Sequence, residues 1–281
     1  MSVPRPQQRL LLVKSGNKCA RCKKTLAESG DSRALCVNAH IFGEKPGAAR
    51  HDPNLDMVFV NSDKNLICLC PNCHDIIDYV RPNDYPTERL FQMKQQHEDS
   101  VRMSLQNNIA NGKISTYLAA VVVRLGNMET SPNESLHKMD HLPYQINDKI
   151  DCNNIKIYRE LIHEYGAFQS YLQNEENGLY KISTSEGGYE KRNIYNRIRN
   201  VYVEIIGELE RQGNPAPYDG DSIYLAGYNK IRELIINSKE YTDMIDDVLM
   251  HCIYIVLVDA FIECKWFENP NKGGGVIDSS S

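Results

Sequence analysis

The sequence contains no long uninterrupted hydrophobic run, and its first eight residues are polar and include two prolines. We therefore expect neither a signal peptide nor a membrane-spanning helix, and we expect the protein to be cytoplasmic. The most apolar stretch, residues 249–264, contains His251, Asp259 and Glu263 and is shorter than a bilayer requires. This stretch therefore predicts a buried helix.

The sequence also lacks an internal repeat and any bias toward a disordered composition, since 41% of its residues are hydrophobic and 25% are charged. A length of 281 residues favours two domains. Residues 1–105 hold 15 Lys and Arg against 12 Asp and Glu, whereas the remaining residues hold 17 against 25. The front part is thus mildly basic and suits a polyanion, while the acidic rear part is typical of protein contacts or regulation.

The nine cysteines are odd in number, which argues against a disulfide framework and for metal ligation in a reducing cytosol. Four of them form two Cys-x-x-Cys pairs, Cys19 with Cys22 and Cys70 with Cys73. Two such pairs, separated by dozens of residues, can close one tetrahedral structural zinc site. We expect the other five to be single core thiols: Cys36, Cys68, Cys152, Cys252 and Cys264.

Polar residues of a second kind are interleaved with these cysteines. His40 lies in an Asn-Ala-His-Ile segment, Asn65 precedes Leu-Ile-Cys-Leu, His74 directly follows Cys73, and Asp78 follows Ile-Ile. Imidazole suits the activation of water, and a carboxylate suits a hard divalent cation. A structural metal beside a separate hydrolytic set of residues indicates a nuclease.

The string from Cys19 to Asp78 resembles the zinc-containing HNH endonucleases, and residues 85–90 and 94–98 resemble the helix that closes such domains. The resemblance covers about the first hundred residues. It implies a small zinc-stabilised ββα-metal unit that cleaves double-stranded DNA with a divalent cation. The fold class we expect is α+β, with this unit followed by a mostly α-helical domain.

Each candidate residue has a chemical role in this interpretation. His40 would be the general base that deprotonates water, and Asn65 would orient its imidazole through the side-chain amide. His74 and Asp78 lie four residues apart on an expected helix, so they share one side and could hold Mg²⁺ or another divalent cation. Ala39 is a departure, because many HNH domains carry an acidic residue or a second histidine there, so the sequence leaves the complete set of metal ligands open.

The chain is expected to divide into residues 1–106 as the nuclease domain, 107–141 as a linker region, 142–270 as a helical regulatory or assembly domain, and 271–281 as a flexible tail. In the front domain we expect a lead-in helix, strands at 34–42 and 66–69, a helix after Cys73 and a longer helix from Thr87. Residues 113–125 fit either a helix or a strand. In the rear domain we expect helices at 154–176, 189–212, 222–238 and 240–267, the second with a buried stripe formed by Ile194, Ile198, Val201, Ile205 and Leu209.

The rear region, roughly residues 140–268, is similar to the common C-terminal region of ABC three-component (Lamassu-type) antiphage defence effectors. The motifs that carry this resemblance are Gln145 to Ile150, Asn154 and Ile162 to Phe168. It implies an antiviral defence nuclease controlled by an SMC/ABC-type ATPase with an accessory subunit. We also expect self-association, because amphipathic helices pack with each other and with further chains.

Two other functions remain open. A restriction or homing-type enzyme would use the helical half to recognise a specific site, against which its acidity argues. A catalytically degenerate zinc-knuckle module would only bind nucleic acid, with Ala39 as the sign of lost activity. Basic residues that could contact the DNA backbone are Lys14, Lys18, Arg21, Lys23, Lys24, Lys45 and Arg50. Since phosphate contacts read no sequence, we expect weakly specific cleavage.

Overall fold

The computed structural model describes residues 3–26, 36–110, 113–127, 145–169, 191–214, 216–237, 246–263 and 266–268. The chain divides into two compact units, Met1–Ile114 with Met244–Met250 and Ser115–Asp243 with His251–Ser281. Within the described ranges helices predominate and the one sheet has two strands, so the architecture is α+β as predicted. The predicted tail, 271–281, and residues 128–141 of the predicted linker lie outside the described residues.

The front unit has the expected order of elements. Its helices are α1 (Arg5–Lys14), α2 (Met57–Val60), α3 (Pro71–Asp75) and α4 (Thr87–Ala110), and its strands are β1 (Val37–His40) and β2 (Leu66–Leu69). A π-helical turn, Ile76–Val80, continues α3, and 3₁₀ turns occupy Asp63–Asn65 and Pro82–Asp84. The lead-in helix, the strand pair and the helix after Cys73 are therefore confirmed.

The sheet of the front unit is an antiparallel pair in which Val37 faces Leu69 and His40 faces Leu66. All four residues of β2 are buried, because Leu66 to Leu69 is an apolar run with both faces covered. The backbone N–H of Ile41 donates to Asn65 O at 2.8 Å, which continues the pairing one step beyond β1. His40 thus lies at the end of β1, and backbone hydrogen bonds fix the strand register both before and after it.

Helix α1 packs its apolar residues inward and then turns sharply toward the first Cys-x-x-Cys pair. Gly16 and Asn17 both have left-handed backbone angles, with φ of +56° and 57°. A Cβ atom at Gly16 would lie 3.0 Å from both methyl carbons of Val101 on α4, so this turn also requires a residue without a side chain. The chain can therefore reverse closely against α4 and deliver Cys19 to the site.

The regular secondary structure in the described residues of the rear unit is helical. Its helices are α5 (Lys113–Asn127), α6 (Ile146–Cys152), α7 (Arg159–Gly166), α8 (Lys191–Arg211), α9 (Gly220–Ile236) and α10 (Asp246–Ile262), although α5 and α10 each begin in the front unit. The segment left open between helix and strand is helix α5, and α6 is a helix that the pattern did not predict. Four residues of the predicted stripe on α8 are buried, whereas Leu209 is half-buried.

Helix α10 confirms the prediction of a buried helix for the most apolar stretch. All residues from Leu249 to Phe261 on this helix are buried. Across the described part of the chain, no helix combines the length and the apolar character needed to cross a membrane.

Aromatic side chains form much of the rear core. The rings of Tyr158 and Tyr224 stack with centroids 4.7 Å apart, and Tyr224 lies 4.6 Å from the ring of Trp266. Trp266 in turn packs so closely on Gly227 of α9 that an added Cβ would lie 2.5 Å from its Cζ2 atom. The absence of a side chain at Gly227 lets the indole lie against the helix backbone.

A buried carboxylate connects α9 to the start of α7. Asp221 accepts hydrogen bonds from the backbone N–H groups of Lys156, Ile157 and Tyr158, at 2.9 to 3.0 Å. Burial raises the pKa of Asp221, although these three donors act in the opposite direction. Asp221 therefore satisfies N–H groups at the start of α7 that have no partner within the helix.

The five cysteines predicted to be single core thiols differ in their environment and bonding. Cys252 is buried as expected, Cys152 is exposed, and Cys264 lies outside the described residues. The prediction is wrong for Cys36 and Cys68, which form a disulfide.

The strand register explains this disulfide. Asn38 lies opposite Cys68, and Cys36 is two residues before Asn38 and hence on the same face of the sheet. The Cα atoms of Cys36 and Cys68 are 6.1 Å apart, within the range that a disulfide spans. Their sequence separation of 32 residues gave no sign of this proximity.

Candidate metal centre and histidine site

The first Cys-x-x-Cys pair sits in a tight turn. The N–H of Cys19 donates to Lys24 O and the N–H of Lys23 donates to Cys19 O, each at 2.9 Å. Lys23 has a left-handed φ of 63°, which reverses the chain within four residues. The N–H of Ala20 donates to Cys68 O at 2.9 Å and ties this turn to β2. The turn therefore faces the strand that leads to the second pair.

The second Cys-x-x-Cys pair lies where β2 passes into α3. Cys70 is the residue before the helix, Pro71 occupies its first turn, and the N–H of His74 donates to Cys70 O at 3.0 Å. Proline suits a first helical turn, because its missing N–H would have no partner there and its φ is already helical. Cys73 and His74 are thereby fixed on consecutive positions of one short helix.

The four cysteines converge as predicted. The sulfur atoms of Cys19, Cys22, Cys70 and Cys73 all lie within 4.8 Å of one another. The distance from Cys22 Sγ to Cys70 Sγ is 3.8 Å, and a tetrahedral zinc with Zn–S bonds of about 2.3 Å separates its sulfurs by about 3.8 Å. The four thiols therefore form a cluster that could hold a zinc ion.

Electrostatics around the sulfurs differ from one cysteine to the next. Burial raises the pKa of Cys73 to about 12, even though Arg21 Nη1 donates to its sulfur at 3.5 Å. The backbone N–H of Lys24 is the main cause that lowers the pKa of Cys22 to about 7. Burial likewise raises the pKa of Cys19. Buried thiols of this kind ionise at neutral pH when a metal replaces their protons, so metal binding would release protons.

A histidine on α4 supports the first cysteine turn from behind. His97 is buried, its Nε2 donates to Ser15 O at 3.0 Å, and its Nδ1 accepts from Lys23 Nζ at 2.8 Å. Burial and then the Lys23 charge lower the pKa of His97, consistent with a neutral ring in this place. Because Lys23 lies next to Cys22, His97 positions the cysteine turn and is an anchor of the metal centre.

His40 is half-buried at the end of β1, and its hydrogen-bond partner is Asn61. The distance from His40 Nε2 to Asn61 Oδ1 is 3.1 Å. Asn61 follows α2, and its side-chain Nδ2 donates to Met57 O at 3.2 Å. A residue that the sequence interpretation did not single out thus contacts the candidate base.

Asn65 is completely buried and makes different contacts from those predicted. Its Oδ1 accepts from the N–H of Phe42 at 2.9 Å, and its Nδ2 donates to Phe42 O at 3.0 Å and to Val60 O at 2.9 Å. The amide is therefore fully used by backbone groups. The prediction that Asn65 directly orients the imidazole of His40 is wrong, because the chain reversal at residues 61–65 turns this side chain inward.

His74 and Asp78 meet on one side of α3 and its π-helical continuation, as their spacing predicted. His74 Nε2 and Asp78 Oδ2 are 3.1 Å apart. The hydrogen bond and charge of Asp78 raise the pKa of His74. Burial acts to raise the pKa of Asp78, but hydrogen bonds and charge from His74 and Arg50 outweigh it and the pKa is lowered.

Arg50 is the second partner of Asp78. Its guanidinium contacts Asp78 Oδ1 and donates to Ile41 O at 2.8 Å and to Ile77 O and Tyr85 O at 3.4 Å each. Only 9% of the Arg50 side chain is exposed. The suggestion that Arg50 contacts DNA phosphates does not agree with this burial. Arg50 instead joins the end of β1 to the helix that carries His74.

Arg21, another of the basic residues expected to contact DNA, also has partners within the front unit. Its Nε donates to the hydroxyl of Tyr85 at 2.9 Å, in addition to its contact with Cys73. Both guanidinium groups belong to the internal hydrogen bonding of the front unit. The sequence offered little indication of this role, because an arginine in a loop or beside a metal ligand can equally well lie on a solvated surface.

Not all of the candidate residues come together. Within the described residues, the four cysteines are the one group of three or more His, Cys, Asp or Glu whose ligand atoms cluster closely enough for a metal. His74 and Asp78 form a pair, and α3 packs against β1, the strand that His40 ends. The arrangement is a metal-ready cysteine cluster with two histidines on adjoining elements, each held through Nε2 by a side-chain oxygen.

No protein-family model and no curated protein matches the sequence.

Proposed function

We propose that this protein is an HNH-type endonuclease that hydrolyses double-stranded DNA with weak sequence specificity. The observation that carries the proposal is the assembly of β1, β2 and α3 around the four-cysteine cluster, with His40 ending β1 and His74 on the helix packed against that strand. Strand, strand and helix in this order, with a histidine on the first strand and another on the helix, fit the ββα-metal unit that the sequence resembles.

The four cysteines would hold a structural zinc. The donor set fits that ion, because four thiolates at mutual distances below 4.8 Å match a closed tetrahedral site with no open position for substrate. The zinc would hold the first cysteine turn to β2 and α3. Catalysis would then belong to the histidines, which lie outside the sulfur cluster.

His40 would act as the general base that takes a proton from the attacking water. Mg²⁺ or another divalent cation, which would neutralise charge on the scissile phosphate, would be held by His74 and Asp78. Two protein ligands suit Mg²⁺, since this ion keeps several waters and takes further oxygens from substrate phosphates. Arg50 would hold the Asp78 carboxylate in place while His74 faces the cation.

The rear unit would regulate the nuclease through other chains. Residues 106–281, which contain this unit, carry a formal charge of eight negative and are therefore poorly suited to DNA contacts. Together with its resemblance to Lamassu-type effectors, this supports an antiviral defence role in which an SMC/ABC-type ATPase and an accessory subunit control cleavage. Self-association of the helical unit belongs to the same proposal.

The test of the proposed activity uses the purified full-length protein and supercoiled plasmid with Mg²⁺, Mn²⁺ or Ni²⁺, with and without the partner subunits. We expect nicking that depends on a divalent cation and is lost in His40→Ala and His74→Ala variants, both of which should keep their zinc content. Cys152→Ser is the matched control, because Cys152 is exposed and lies outside the cysteine cluster. Equal cleavage by His40→Ala and the parent would overturn the assignment of the base.

A catalytically inactive zinc module is the second candidate, and one observation favours it. Both oxygens of Asp78 already have partners, Arg50 and His74, so the carboxylate is satisfied without a cation. Such a module would bind DNA but would nick it with none of the three metals in the presence of the partner subunits. Gel-shift and cleavage assays on the same preparation distinguish the two functions.

A further inference from the structure

Asn61 contacts the candidate base, His40, although Asn61 is not among the residues that carry the resemblance to HNH endonucleases. Its Oδ1 lies 3.1 Å from His40 Nε2, while its Nδ2 donates to Met57 O at 3.2 Å. A carbonyl oxygen can only accept, so the amide nitrogen must face Met57. The amide oxygen must therefore face the imidazole, and the orientation of the Asn61 side chain is decided by chemistry.

This orientation fixes the proton on the imidazole. An amide oxygen accepts but does not donate, so His40 Nε2 must carry the hydrogen in this contact. A neutral imidazole has one N–H and one lone pair, so the lone pair is on Nδ1. In the described residues Nδ1 of His40 has no hydrogen-bond partner, and it is thus available to accept a proton from water.

The surroundings hold Asn61 rigidly. Its backbone N–H donates to Met57 O at 3.1 Å, and the preceding helix α2 is capped by Asp56, which accepts from the N–H of Val58 at 3.0 Å. Val60, directly before Asn61, is 2% exposed. Position 61 therefore has little freedom relative to the front core.

Asn65 connects this support to the strand end. It donates to Val60 O, next to Asn61, and bonds both backbone groups of Phe42, two residues after His40. One buried amide thereby fixes the segments that carry each partner of the His40–Asn61 hydrogen bond. Asn65 acts on the base indirectly, and Asn61 acts on it by contact.

We propose that Asn61 is a positioning residue that locks His40 in the Nε2–H tautomer and leaves Nδ1 as the proton-accepting atom. This inference rests on the proposed nuclease function for its catalytic meaning, but the tautomer itself is a property of the folded protein. Removing a residue that orients a catalytic imidazole through the second ring nitrogen typically lowers activity about 10- to 100-fold.

The test is the tautomer of His40 in full-length, zinc-loaded protein labelled with ¹⁵N-histidine. Long-range ¹H–¹⁵N spectra at alkaline pH distinguish the two neutral forms, and the His40→Ala spectrum identifies the resonance. We expect the Nε2–H form in the parent, its retention in Asn61→Asp, which keeps an acceptor oxygen, and a mixture of forms in Asn61→Ala. Asn54→Ala is the matched control, because Asn54 is in the same loop and its amide bonds Asp52.

The same variants are also assayed for DNA cleavage. Asn61→Ala should lower kcat about 10- to 100-fold with little change in KM, and Asn61→Asp should recover part of the loss. An Nδ1–H tautomer in the parent, or an unchanged tautomer in Asn61→Ala, would refute the role of Asn61 even if the protein cuts DNA. Conversely, absence of cleavage by the parent would count against the nuclease function. The spectra would still show whether Asn61 sets the tautomer of His40.

Discussion

The side-chain amide of Asn65 bonds both backbone groups of Phe42, accepting its N–H at 2.9 Å and donating to its C=O at 3.0 Å. The amide thus imitates a backbone partner and extends the β1–β2 pairing past the strand end. A third bond, to Val60 O, uses the second amide hydrogen. This single buried residue holds together the two segments on which His40 and Asn61 lie.

Replacement of Asn65 should destabilise the front unit much more than replacement of Asn61. Asn65→Ala leaves buried N–H and C=O groups without partners, which costs about 1–3 kcal/mol for each group that finds no water. We expect a loss of about 2–4 kcal/mol in denaturant unfolding, against less than about 1 kcal/mol for Asn61→Ala. Equal stability losses would show that the amide of Asn65 is not the main connection between these segments.

Zinc content should depend on the cysteine cluster and on no other cysteine. Cys73→Ser should lose the metal and the folded front unit together, because metal binding and folding are coupled in small metal domains. Elemental analysis should find about one zinc per chain in the parent and in Cys152→Ser, whose thiol is exposed and outside the cluster. A metal-free parent with an intact front unit would exclude the structural zinc site.

The ion pair between Lys14 and Asp63 should make the stability of the front unit depend on pH. The two side chains are 2.7 Å apart and each is 18% exposed. Burial acts to raise the pKa of Asp63, but the charge and hydrogen bond of Lys14, together with smaller effects of Lys94 and Gln7, outweigh it and lower the pKa. A depressed carboxyl pKa contributes stability above the unfolded value of about 4, and this contribution disappears as the pH falls through the folded value.

The measurement is the difference in unfolding free energy between the parent and Lys14→Met as the pH is lowered. We expect a difference of about 1–3 kcal/mol at neutral pH, shrinking below about pH 4 as Asp63 becomes protonated. Lys64→Met is the control, because Lys64 is an exposed neighbour of Asp63 that forms no such ion pair within the described residues. A difference that stays constant down to acid pH would contradict the assignment of the pair.

Gly227→Ala should destabilise the rear unit, because the added methyl group would lie 2.5 Å from Trp266 Cζ2 and must displace a buried ring. We expect a cost of about 1–3 kcal/mol. Gly207→Ala is the matched control: this glycine is also helical, and a Cβ there meets nothing within 4 Å. The chain has one tryptophan, so its fluorescence reports the unfolding of this unit directly. If Gly227→Ala leaves the free energy of unfolding unchanged, the indole of Trp266 can move without an energetic cost.

The sequence by itself determined the features that depend on short spacing. Two residues between cysteines suffice for a metal-binding turn, so the four cysteines of the cluster could be identified before any fold was known. The 3.6-residue period placed Ile194, Ile198, Val201 and Ile205 on one buried face of α8. The four-residue step from His74 to Asp78 likewise predicted that they lie on one side, where the two side chains are 3.1 Å apart.

The tertiary structure alone decided the contacts between side chains that are distant along the chain. Asn61, and not Asn65, meets the ring of His40, Arg50 is buried on Asp78, and Cys36 pairs with Cys68 across the strands. A local pattern sets which face a residue occupies, but the partner on that face depends on strand register and on how the loop from residue 42 to 65 folds back. Side-chain amides and guanidinium groups serve equally well on a surface or in a core, so only the packed chain distinguishes these two uses.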